Sequence, residues 1–97
     1  MPGRRRRCRR IGFQPSFTWF GPATAGPAYP EEVLLSFDEF EAVRLKDLEG
    51  LDQSACAGMM DISQPTFHRL VVSARRKIAD ALTHGKILKI EGGHYRF

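Results

Sequence analysis

Residues 51–77, LDQSACAGMMDISQPTFHRLVVSARRK, decide the fold. The stretch reads as two helices joined by a tight turn. Asp52 is a good N-cap for a short first helix running to Met60, because its carboxylate can accept from the free N–H groups of the first turn. Met60, Asp61 and Ile62 form the expected turn. Asp61 stands where such turns often carry glycine, and aspartate tolerates the left-handed conformation better than most residues. Ser63 then caps a longer second helix, with Pro65 in its first turn, where no backbone donor is required. Short helix, short turn and longer helix together make a helix-turn-helix outline.

Apolar spacing supports this outline. Cys56, Ala57 and Met60 share one face of the first helix, and Ala57 is small enough to let two helices cross closely. Ile62 plugs the corner. Phe67, Leu70, Val71, Ala74, Ile78, Ala81 and Leu82 continue a 3.6-residue stripe along the second helix. That stripe leaves Gln64, Thr66, His68, Arg69, Val72 and Arg76 facing outward or at the edge. Any amphipathic helix pair would show the stripe. Polar, bidentate-capable side chains on the outer face of the second helix are what a major-groove reader needs in addition.

Working outward, a third helix precedes the pair. Ser36 and Glu39 form a capping box, and Phe37, Phe40, Val43, Arg44, Leu45 and Leu48 follow at helical spacing. Phe40, Val43 and Leu48 are expected on its buried side, and Gly50 ends it. Glu41 with Arg44 or Lys46 reads as an ordinary surface pair worth a few tenths of a kcal/mol. The three helices make one domain over residues 31–84.

The flanks differ in character. Residues 1–10 are expected to be a basic arm that lies along phosphates or in a minor groove. Phe13, Phe17, Trp19 and Phe20 follow in a segment whose Ser16–Phe20 part has strand-like composition. They could stack on bases, as in single-strand binders. We expect them instead to complete the core of a chain otherwise short of apolar bulk. Gly21 to Pro30 reads as a loop, which makes residues 1–30 one segment of arm, aromatic strand and loop. Residues 85–97 change to an extended period and read as a C-terminal β-hairpin turning at Gly92 and Gly93. A lone hairpin is marginal, so it should pair with Ser16–Phe20 of the same chain or of a second subunit.

Charge is segregated along the chain. Residues 1–30 carry +6, residues 31–61 carry −7 and residues 62–97 carry +5. Basic ends around an acidic scaffold are the asymmetry expected when one face meets a polyphosphate. No run approaches the length of a membrane span, and no apolar segment follows the arginines as in a secretory signal, so a cytoplasmic location is expected. No glycine-rich phosphate loop and no nucleophile with a base at motif spacing is present, so we expect neither an enzyme nor a cofactor. Cys8 and Cys56 form no disulfide framework, and no Cys/His cluster stands at metal-ligand spacing.

The stretch FDEFEAVRLKDLEGLDQSACAGMMDISQPTFHRLVVSARRKIADALTHGKILKIEGG, preceded by RRCRRIGFQPSFTWFGP, resembles uncharacterised protein family 0251 over nearly the whole chain. These are small prokaryotic proteins regarded as DNA-binding, with a helix-turn-helix similar to region 4 of sigma factors. Ser54 and Ala55 depart from that pattern, standing where relatives often carry acids. The resemblance implies a mainly α, three-helix fold and base contacts from Gln64, Thr66, His68 and Arg69. It implies that Arg75, Arg76 and Lys77 face the DNA backbone or packing, with Ser63 at the helix start. Arg4, Arg5, Arg6, Arg7, Arg9 and Arg10 of the arm would add further backbone contacts.

The expected function is sequence-specific binding of double-stranded DNA as a small transcriptional regulator, acting as a homodimer on two half-sites. A sigma-like adaptor that contacts RNA polymerase through the acidic middle segment is the first alternative. A redox or metal sensor built on Cys8, Cys56 or the histidines is the second.

Overall fold

Capping chemistry sets the helices in the computed structural model, which describes residues 8–23 and 30–97. Arg4, Arg5, Arg6 and Arg7 lie outside the described residues. Helix α1, Phe37–Val43, starts at Ser36, whose Oγ accepts from the Glu39 N–H (3.2 Å) while the Glu39 carboxylate accepts from the Ser36 N–H (3.0 Å). It continues as a wide π-helical turn, Arg44–Leu48, in which the Glu49 N–H donates to the carbonyl of Arg44. The extra residue in that turn rotates the chain. Leu45 is therefore buried (1% exposed) and Leu48 is 77% exposed, which corrects the expectation that Leu48 faces the core.

Helix α2, Gln53–Met60, begins with the Ala55 N–H donating to Asp52 Oδ1 at 2.7 Å. Asp61 follows in the left-handed region, φ 59° and ψ 45°, the conformation that aspartate tolerates. Helix α3, Gln64–His84, is capped by Ser63, carries Pro65 in its first turn and ends at Gly85 with φ 66°. Ala42, Leu45, Cys56, Ala57, Met60, Phe67 and Val71 make the main core, closed by Leu51, Ile62 and Leu70. Leu35, Ala74 and Ile90 make a second cluster, with Phe37, Phe40, Val43 and Leu88 against it. Leu82, expected in the buried stripe, is 80% exposed, whereas Ala81 beside it is buried.

Among the described residues five short strands complete the fold: β1 Arg9–Arg10, β2 Trp19–Phe20, β3 Glu32–Leu35, β4 Ile87–Ile90 and β5 Tyr95–Arg96. Strand β4 is central. It pairs antiparallel with β2 (Trp19 opposite Lys89) and parallel with β3 (Leu35 opposite Ile90). The C-terminal strand thus meets the aromatic segment within one chain. The expected hairpin is not formed. Both edges of β4 are already occupied, so β5 leaves to pair in parallel with β1, Arg9 opposite Tyr95 and Arg10 opposite Arg96. The structure also corrects the reading of residues 1–10 as an arm throughout, since Arg9 and Arg10 belong to this ribbon.

The aromatic residues before β3 do not fill the core. Phe13, Phe17, Trp19 and Phe20 are all exposed, Phe17 by 76%, and Ile11 is the buried residue of that segment. Helix α3 covers one face of the sheet, whereas Trp19 lies beside Lys89 and Leu34 on the other. The Lys89 ammonium sits 5.9 Å from the Trp19 ring centre. Phe13 packs on Phe40, under the Arg44 guanidinium.

Gly92 and Gly93 (φ 77° and 104°) carry the chain across the start of α1, where the Phe37 N–H donates to the Gly92 carbonyl at 2.9 Å. A Cβ on Gly93 would lie 2.6 Å from Asp38 Oδ1 and 2.9 Å from Ser36 Cβ. Gly93→Ala is therefore expected to cost roughly 1–3 kcal/mol in a thermal or urea melt. An unchanged melt would show that the crossing relaxes without strain.

Candidate nucleic-acid interface

Helix α3 has two distinct sides. Phe67, Val71 and Ala74 are buried, while Gln64, His68, Arg69, Val72 and Arg76 are exposed and Thr66 is half-buried. The outer residues form one continuous strip from the first turn to the middle of the helix. Ser63 Oγ donates to Thr66 Oγ1 at 2.9 Å, and Arg69 Nη2 donates to the same oxygen at 3.3 Å. These contacts draw the Arg69 guanidinium toward the start of the helix. Gln53 Nε2 donates to the Gln64 carbonyl at 3.3 Å, so the N-termini of α2 and α3 are neighbours. Both are positive ends of helix dipoles, capped by Asp52 and Ser63.

The other cations assigned from sequence are placed differently from one another. Arg76 is exposed and makes no ion pair among the described residues. Arg75 makes a two-pronged contact with Asp47 (2.9 and 2.6 Å), which raises its own pKa and lowers that of Asp47. Lys77 points back to α1, where its ammonium lies 2.7 Å from Glu39 Oε1. Glu39 also accepts from the Ser73 hydroxyl and the Ser36 N–H, so one carboxylate ties the start of α1 to the middle of α3. The sequence signals Glu39 as half of a capping box. Its α3 partners, 34 and 38 residues away, share a face only because Ser73 and Lys77 are one turn apart.

Glu39 supplies a pH prediction. Burial disfavours its charged form, but Lys77, Ser73 and the Ser36 N–H outweigh burial, and its pKa falls below the ordinary value. The native state then binds this proton less readily than the unfolded chain. The stabilisation is present above the ordinary carboxylate range and is lost as pH falls through the depressed native value. Glu39→Gln is expected to flatten the acid limb of stability against pH. Equal pH dependence in both proteins would show that Glu39 titrates alike in the folded and unfolded chain.

A residue not singled out from the sequence adjoins the strip. Arg96 on β5 donates to Asp61 Oδ2 at 3.2 Å, fastening the ribbon to the α2–α3 turn. Only its place at the C-terminal edge of the basic tail could have marked it. Arg9, Asp61, Ser63 and Thr66 border a cleft of about 450 Å³ between ribbon and turn. Of the two cysteines, Cys56 is buried in the main core, and burial raises its thiol pKa. Cys8 is half-buried. Among the described residues no group of three or more His, Cys, Asp or Glu is placed to hold a metal ion. No helix among them is long and apolar enough to cross a membrane.

A family model described as a protein of unknown function, DUF134, matches residues 1–97. The chain is 50% identical over 90 residues to a UPF0251 protein of Thermoanaerobacter sp. (strain X514), covering 93% of this chain and 80% of that protein. It is 51% identical over 88 residues to a UPF0251 protein of Caldanaerobacter subterraneus subsp. tengcongensis, covering 91% and 75%. A UPF0251 protein of Moorella thermoacetica is 52% identical over 88 residues, covering 91% of this chain and 59% of that protein. No solved structure gives a significant match.

Proposed function

The chain belongs to the DUF134 family, and on that premise we propose that it binds double-stranded DNA sequence-specifically, as a small transcriptional regulator. In this reading α2 and α3 are a helix-turn-helix of the sigma region 4 kind, and α3 enters the major groove. The observation that supports it is the strip of Gln64, Thr66, His68 and Arg69 on the outer side of α3, beside the left-handed turn at Asp61. These side chains offer both donors and acceptors, and an arginine can grip a guanine edge with two hydrogen bonds. Ser63, Arg76 and the two neighbouring helix N-termini would take backbone phosphates. Arg75 would do so after releasing Asp47, and Lys77 serves packing. One such motif reads few base pairs, so two copies on half-sites about one helical turn apart complete the reading.

Arg69→Ala tests the assignment. It is expected to cost about 1–3 kcal/mol on the preferred duplex, with a smaller loss on shuffled duplex and relaxed preference at one base position. An equal loss on both duplexes would reduce Arg69 to a phosphate contact.

A second reading has its own observation. Phe13, Phe40, Val43 and the exposed Leu48 line an apolar cleft of about 550 Å³ on the acidic part of the chain. A protein-interaction adaptor would use this cleft, and its DNA affinity would be weak and indifferent to changes at His68 and Arg69.

A further inference from the structure

We infer that the β1–β5 ribbon is a second phosphate-binding surface, in which Arg10 and Arg96 grip the DNA backbone beside the recognition helix. The inference rests on the duplex-binding reading above and extends it to a part of the fold outside α2 and α3. The ribbon sets Arg10 directly opposite Arg96 in register, and both side chains are exposed, while their neighbours Arg9 and Tyr95 are less so. Like charges directly opposite each other on paired strands repel. Asp61 offsets one of them, through its 3.2 Å contact with Arg96. Arg10 makes no ion pair among the described residues. Among the described residues no side-chain contact accounts for an arginine at position 10, and Arg96 has only its Asp61 contact, because the ribbon is held mainly from its other side. There Ile11 is buried, its N–H donating to the Arg96 carbonyl at 2.7 Å, and Tyr95 and Phe97 pack on Phe37 at 4.7 and 6.3 Å.

Placement gives the ribbon its partner. Arg9 from the ribbon and Ser63 and Thr66 from the start of α3 border the same cleft. Arg9 is the inward member, 3.8 Å from Asp38, and its Nε is buried with no hydrogen-bond partner among the described residues. A polyanion following the N-terminus of α3 would therefore run directly past the ribbon. Two exposed cations set side by side in that position suit a run of phosphates, and contacts of this kind add affinity without sequence preference.

The test is equilibrium binding of the full chain to a short duplex between about 50 and 200 mM salt, by fluorescence anisotropy. The proteins compared are the wild type, Arg10→Gln with Arg96→Gln, and Arg10→Lys with Arg96→Lys. Each neutralised phosphate adds about 0.9 to the slope of log K against log salt, so the glutamine pair should flatten the slope by about 1.8. Its loss of affinity should be equal on preferred and shuffled duplexes, and the lysine pair should retain the wild-type slope. A wild-type slope in the glutamine pair, in a wild type that binds duplex, would overturn the ribbon site alone. A flattened slope in the lysine pair as well would also overturn it, by assigning the effect to shape. A wild type that binds no duplex would overturn the recognition reading and the ribbon site with it.

Discussion

Phe67→Ala should lower stability by roughly 3–5 kcal/mol, the range for truncating a fully buried aromatic ring. Phe67 is 0% exposed and stands in the main core with Ala42 and Leu45 from the first helix and Cys56, Ala57 and Met60 from the second. It is the point where α3 meets both. Domains of this size hold only about 5–15 kcal/mol in total, so the loss would leave a large part of the population unfolded on mild heating. On the proposed function, duplex binding should fall only in proportion to the unfolded fraction, because the ring faces away from the outer strip. Urea melts followed by circular dichroism measure the effect. A loss under about 1 kcal/mol would mean that the three helices are not joined through this residue.

Glu41→Gln is expected to cost roughly 3 kcal/mol, a surprising amount for a residue that reads as half of a surface pair. Its side chain is 2% exposed, and it accepts from Arg44 Nε (2.7 Å), Arg44 Nη2 (2.9 Å) and the Gly12 N–H (2.8 Å). The carboxylate therefore anchors the N-terminal segment to α1 and holds Arg44 over Phe13. Neutralising it strands a largely buried guanidinium, for which Glu49 at 3.5 Å compensates only in part. Arg44→Met combined with Glu41→Gln should restore part of the loss, since removing both charges is less costly than removing one. If the single change cost only a few tenths of a kcal/mol, Glu41 would be the surface pair that its spacing suggests.

These two residues mark how far the sequence reaches. Phe67 is legible because it sits on a 3.6-residue stripe, and Asp52, Ser63 and Ser36 are legible because caps are local chemistry. Each side-chain cap spans three residues, so the starts of α1, α2 and α3 follow from short windows. Glu41 is not legible, because its burial depends on Gly12, 29 residues away. Leu48 departs from its expected buried position for a local reason of another kind: the π-helical turn breaks the 3.6 period that predicts it.

The strands were harder still. Segments of two to four residues carry little alternation, and β4 draws one neighbour from residues 19–20 and the other from residues 32–35. Gly92 and Gly93 have the positive φ values that a hairpin turn would use, yet the chain crosses α1 because no edge of β4 is open. Exposure of Trp19 follows from the same topology, since α3 covers only one face of the sheet. For the candidate site, the strip on α3 was legible from periodicity. Arg96 was not, because its neighbours Asp61 and Arg10 come from distant parts of the chain.

The most direct test of the central claim is selection of bound sequences from a random duplex library by the full chain, at about physiological salt. Enrichment of a defined motif is expected, repeated as two half-sites about one helical turn apart and altered at one base position by Arg69→Ala. Recovery of duplexes with no common motif would contradict it, leaving charge-driven binding by the arginines as the whole of the DNA affinity.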